Sequence, residues 1–153
     1  MAKSKFTFNQ YAHAMNYQGE PIVYVKINGN LQSFLLDTSS EMNVLSRELW
    51  EKYKDHGEVL GNTMVLFDGV ECEWLLVKLS FTIQKATYTE QFAVMPNGTS
   101  LKSQGSRIWS YEGSLGNLFL RNNKFIIDYK KNRIYVYKET PKKKWLRKVT
   151  IKH

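Results

Sequence analysis

Four aspartates occur in the chain, Asp37, Asp55, Asp68 and Asp128, and three of them have ordinary settings. Asp55 closes a polar helical stretch, Asp68 shares a turn dipeptide with Gly69, and Asp128 falls on the solvent side of the strand-like run Phe125-Ile126-Ile127-Asp128-Tyr129. Asp37 differs. It follows Phe34-Leu35-Leu36 and precedes Thr38-Ser39-Ser40. A carboxylate at the end of a buried strand is costly unless it is paired, hydrogen-bonded or at work. The hydroxyls after it can donate to the carboxylate or turn the chain sharply. An Asx-type turn, or a cap leading toward Ser46, explains Asp37 without chemistry; general acid–base work explains it with chemistry.

Other chemistries find little support. His13, His56 and His153 are far apart, and Cys72 is the one cysteine, so no metal-ligand spacing exists and no intrachain disulfide can form. A metal and an organic cofactor are therefore not expected. Asn97-Gly98-Thr99 matches a glycosylation acceptor but has no secretory leader to go with it. Phosphate-loop and dinucleotide motifs are absent. The net charge of +8 is uneven: residues 139–153 hold six basic residues and one acid, or +5, leaving +3 for the rest. The segment Lys142-Lys143-Lys144-Trp145-Leu146-Arg147-Lys148 suits a solvated terminus better than nucleic-acid or membrane contact.

The elements that position Asp37 are mostly strands. Residues 22–27 are β-branched and aromatic, Asn28-Gly29 suits the positive φ angles of a type I′ turn, and Leu31 to Leu36 completes a hairpin that delivers Asp37 at its end. Ser46 to Asp55 predicts a helix, with Ser46 as cap, Gly57 beyond its end, and Leu49, Trp50 and Tyr53 on its apolar face. Strands follow at 64–67, 71–83 and 88–95, the first pair joined at Asp68-Gly69. Residues 97–112 read as a polar loop, 116–122 as a short helix, and 125–129 with 133–137 as a final hairpin. The fold class expected is mainly β, a small closed or partly closed barrel with one or two short helices.

In this order the pieces resemble the retropepsin-like aspartic proteases, the retroviral-type and single-lobe bacterial family. Phe34-Leu35-Leu36-Asp37-Thr38-Ser39-Ser40 is similar to the family's apolar run followed by Asp-Thr-Gly-Ala/Ser. The hairpin at 21–29 looks like the one that precedes it, Ser114-Leu115-Gly116 with Asn117-Leu118-Phe119-Leu120 like the apolar-apolar-Gly element and its helix, and 125–129 like the closing strand. The resemblance spans roughly 21–137. It implies an acid-protease fold, catalysis by Asp37 with Thr38 and Ser39, and a substrate-covering hairpin tip at Phe67, Asp68, Gly69 and Val70, with Leu115 and Gly116 completing the substrate site. Since one motif cannot supply the two carboxylates that this chemistry needs, it also implies a homodimer acting on a peptide or protein. Two departures stand out: Ser39 replaces the usual Gly, and Ser114 replaces a usual apolar residue.

At 153 residues, 42% hydrophobic and 14% aromatic, the chain can bury one core. The expected division is an N-terminal extension (1–20), a retropepsin-like domain (21–138) and a basic tail (139–153). With one cysteine and no signal-peptide or membrane-span pattern, the setting expected is cytoplasmic. Three functions are carried forward: an aspartic endopeptidase, a catalytically impaired peptide-binding relative, and a basic β-barrel that binds nucleic acid through its tail.

Overall fold

The computed structural model describes residues 6–14, 20–67, 69–96 and 111–139, the backbone alone being described for 6–14 and 137–139. Ten strands and two short helices follow in the order β1 (Phe6–Ala14), β2 (Ile22–Ile27), β3 (Asn30–Asp37), β4 (Val44–Leu45), α1 (Arg47–Tyr53), β5 (Glu58–Phe67), β6 (Val70–Ile83), β7 (Ala86–Val94), β8 (Gly113–Gly116), α2 (Asn117–Asn122), β9 (Ile126–Asp128) and β10 (Arg133–Glu139). A 3₁₀ turn at Lys54–His56 extends α1.

The β2–β3 hairpin closes through Asn28 (φ 49°) and Gly29 (φ 84°), both left-handed, the geometry that matches the twist of the flanking strands. Strands run β2-β3-β8-β4-β7-β6 and meet again where Lys26 of β2 pairs with Thr82 of β6. The result is a ring of six hydrogen-bonded strands with β5 outside it on β6. A regular barrel is not formed, because β4 has two residues and β8 four. A separate sheet, β1-β10-β9, joins the strand at 6–14 to the C-terminal hairpin. Residues 6–14 carry too weak an alternation to stand out in the sequence.

Alternation fills the ring. Val23, Val25 and Ile27 from β2 and Val77, Leu79, Phe81 and Ile83 from β6 face inward and are fully or nearly fully buried. Phe81 meets Phe92 edge-on with centroids 5.6 Å apart, and Phe119 of α2 lies 5.7 Å from Phe81. Burying each such ring stabilises the fold by about 1.5–3 kcal/mol. Helix α1 begins as its sequence suggests: the Ser46 hydroxyl accepts from Leu49 N–H at 3.1 Å, and Leu49, Trp50 and Tyr53 are buried. On its exposed face Lys54 pairs with Glu51 at 2.8 Å, which lowers the Glu51 pKa and raises that of Lys54.

Strand β6 sets up the site. Only Leu75–Ile83 pairs with β7, so 70–74 continues past the ring with β5 as its one partner. The β5–β6 hairpin projects beyond the ring as an arm, closed by the Phe67–Val70 pair and a turn in which Gly69 has φ 77°. Among the described residues no helix is long and apolar enough to cross a membrane.

Candidate active site

Asp37 is the last residue of β3 and pairs in parallel with Gly116 at the end of β8. Strand β8 lies between β3 and β4, parallel to the first and antiparallel to the second. The segment 38–43 must therefore arch over the C-terminal end of β8, where α2 starts. Asn43 holds the arch down. Its Oδ1 accepts from Gly116 N–H at 2.8 Å, its Nδ2 donates to the Gln91 carbonyl at 3.0 Å, and its own carbonyl accepts from Ala93 N–H at 2.9 Å. One buried amide thus ties the loop to β7 and β8. Asn117 N–H adds a bond to the Ser40 carbonyl at 2.6 Å.

Gly116 is required by close approach. A Cβ there would stand 2.7 Å from the Met42 carbonyl carbon and 2.8 Å from that of Glu41, both backbone atoms that cannot swing aside. Asn43→Ala strands the buried Gly116 N–H, and the expected cost is about 1–3 kcal/mol of stability. Denaturant unfolding checks this; Asn43→Ala unfolding at the wild-type midpoint would show that the arch is held by other means.

The carboxylate itself is half-exposed. Its Oδ1 accepts from Ser39 N–H at 3.0 Å and from the Ser39 hydroxyl at 2.5 Å. Thr38 and Ser39 are exposed. Among the described residues no cation forms an ion pair with Asp37. Nor do any three or more His, Cys, Asp or Glu side chains there stand together so as to hold a metal ion.

A cavity of about 160 Å³ opens from Asp37 to the underside of the β5–β6 arm. Leu35, Val65, Phe67, Trp74 and Tyr111 give it apolar walls, and Asp37, Ser40 and Ser114 add polar lining. Trp74 is only 4% exposed, and its ring lies 5.3 Å from that of Phe67. The Phe67–Trp74 contact lies within the arm, and Trp74 ties the arm's base to the body by packing with Ile22, Ala93, Met95 and Tyr111. The arrangement is a carboxylate in a partly apolar cleft, covered on one side by the arm.

Of the residues singled out in the sequence, the structure brings together Asp37, Ser39 and Phe67; Thr38 is on the outer rim, and Gly69 and Val70, the latter 60% exposed, are at the arm's tip. Asp68 lies outside the described residues. Leu115 has no exposed surface and packs in the core, while Gly116 leaves no room for a Cβ against the Met42 carbonyl; these two shape the site from beneath instead of lining it. Ser114 is buried at the cleft. Asn43, Val65, Trp74 and Tyr111 were not singled out. Asn43 carries one faint signal, a lone amide directly ahead of Val44-Leu45.

Beside Thr38 a second groove, of about 540 Å³, runs between Leu120, Phe125, Ile127 and Tyr129, with Arg121 and Lys124 at its edge. Tyr129 is 61% exposed.

No family model and no curated protein matches the sequence. Solved structures do. A retropepsin-like aspartic protease from Rickettsia conorii matches at TM-score 0.56 and 19% identity, over 86% of this chain and 93% of its own. The EIAV protease complexed with the inhibitor HBY-793 matches at TM-score 0.53 and 19% identity, over 72% of this chain and 93% of its own. The retroviral protease-like domain of Ddi1 from Leishmania major matches at 0.50 and 13%, over 76% and 90%. This likeness is one of fold: the chain has the retropepsin-like fold.

Proposed function

We propose that this chain, built on the retropepsin-like fold, is an aspartic endopeptidase whose active site forms when two copies each contribute Asp37. The observation that carries the reading is the placement of Asp37, at the end of β3 ahead of a tied-down loop, in a cleft under a projecting hairpin. Two facing carboxylates hold one proton between them. The ionised one takes a proton from water, which attacks the scissile carbonyl, and the protonated one gives its proton to the carbonyl oxygen. In this reading Thr38, exposed on the rim, meets its counterpart across the two-fold axis, and the apolar groove at Leu120, Phe125, Ile127 and Tyr129 supports the seating of a second copy. A peptide in the cleft binds as an extended strand, with Val65, Phe67 and Trp74 favouring apolar side chains.

The second reading is a peptide-binding module with impaired catalysis, favoured by the Ser39 hydroxyl on Asp37 Oδ1. A peptide library separates the two. The endopeptidase reading expects internal cleavage with a bell-shaped pH profile, since the pair works only when it carries one proton. Saturable binding with no cleavage from pH 3 to 8 would favour the module.

A further inference from the structure

Ser39 makes two hydrogen bonds to one atom, Asp37 Oδ1: one from its N–H and one from its hydroxyl. The first is the bond of an Asx turn, which any residue at 39 other than proline can make. The second belongs to serine. A glycine in this place is usually explained by backbone freedom, yet that freedom is not used here. Among the described residues the non-glycine positions with positive φ are Asn28, Gln84, Lys124 and Asn132, so Ser39 carries no left-handed strain. Whatever Ser39 changes, it changes through its side chain.

We infer that the Ser39 hydroxyl is a built-in cap on one oxygen of the Asp37 carboxylate, Oδ1, where it competes with the activated water and the second carboxylate. The inference rests on the endopeptidase reading. A carboxylate oxygen offers two lone pairs, and both of those on Oδ1 are engaged by Ser39. A hydroxyl bound to an ionised oxygen is held by a charge-assisted bond, stronger than one between neutral groups. In this inference catalysis uses Oδ1, and that bond opens so that water can donate to Oδ1 and the shared proton can sit between the two chains. Ser39 is exposed, so its hydroxyl can turn away without repacking the core. No proton leaves the pair in this step: the hydroxyl exchanges one acceptor for another, and the freed lone pair takes the water.

The test is a series at position 39 in the full chain: Ser39→Ala, Ser39→Gly and Ser39→Thr, each checked for fold by circular dichroism. Alanine keeps the Cβ and removes the hydroxyl, glycine removes both, and threonine keeps both. Capping predicts that Ser39→Ala and Ser39→Gly raise kcat/KM equally, by about tenfold, the lower range for a hydrogen bond to a charged group. Ser39→Thr, which keeps the hydroxyl and adds a methyl group, does not show the gain. A gain in Ser39→Gly alone overturns the cap and assigns the effect to crowding by the Cβ. A loss in both Ser39→Ala and Ser39→Gly overturns it as well, making the hydroxyl an aid to orientation.

A second readout does not depend on turnover. A peptide with a secondary alcohol in place of the scissile carbonyl presents a hydroxyl to the same oxygens, and its affinity is measured by calorimetry. It is expected to bind Ser39→Ala and Ser39→Gly about tenfold more tightly than wild type and Ser39→Thr. If no protein in the series cleaves but this affinity pattern holds, the peptidase reading fails, and what survives is a hydroxyl that competes with a bound ligand for Oδ1. Equal rates and equal affinities across the series sink the cap and leave the peptidase reading intact.

Discussion

Asp37→Asn is expected to lower cleavage by at least about 10³-fold while leaving the unfolding midpoint close to that of wild type. The magnitude follows from losing the ionisable member of an acid–base pair, a role worth about 10²–10⁴ in rate for one group. The substitution adds no volume, and its amide oxygen still accepts from Ser39 N–H, so the loop keeps its shape. Mixing makes the test sharper. When wild type and Asp37→Asn exchange subunits freely at equal concentrations, about one quarter of the dimers carry two carboxylates. Activity should then fall to about a quarter of that of wild type at the same total concentration. A fall to one half would mean that each chain works alone, and the two-chain site would have to be abandoned.

Trp74→Ala is expected to cost about 3–5 kcal/mol of stability, the range for removing a large aromatic side chain from a packed site. Trp74 is buried at the base of the arm, in a cluster with Ile22, Ala93, Met95 and Tyr111, and its ring meets Phe67. For a chain of this length each kcal/mol lowers Tm by about 2–4 °C, so a drop of about 6–20 °C is expected. In a variant that remains folded, KM should rise more than kcat falls, because the cleft loses a wall and the acid–base pair stays. Thermal unfolding and steady-state kinetics check both parts. A Tm change under a degree would show that the arm is not held by the packing of Trp74.

Much of the scaffold was legible without coordinates because its signals are local. The Asn28-Gly29 turn, the β2 and β3 runs, the Ser46 cap with Leu49, Trp50 and Tyr53, and the final hairpin each depend on residues within a few positions of one another. Asp37 stood out because charge after an apolar run is a local contradiction. The short strands β4 and β8 were not legible. Gly113-Ser114-Leu115-Gly116 has little β propensity, and it becomes a strand because β3 and β4, far away in sequence, enclose it on both sides. The strand at 6–14 is likewise defined by a partner near the other end of the chain.

The amino-acid sequence by itself determined a mainly β chain with one acidic motif at the end of a strand, because turn chemistry, alternation and a cap act over short distances. Only the tertiary structure decided what surrounds that motif. Asn43 became the clamp of the loop because its three hydrogen-bonding partners come from β7 and β8, dozens of residues away. Trp74 and Val65 became cleft walls because β6 runs past β7 and carries the arm beyond the ring. Leu115, equally apolar in the sequence, went to the core instead. Which face of a strand meets the site depends on its register with neighbours, and register is a property of the assembled sheet.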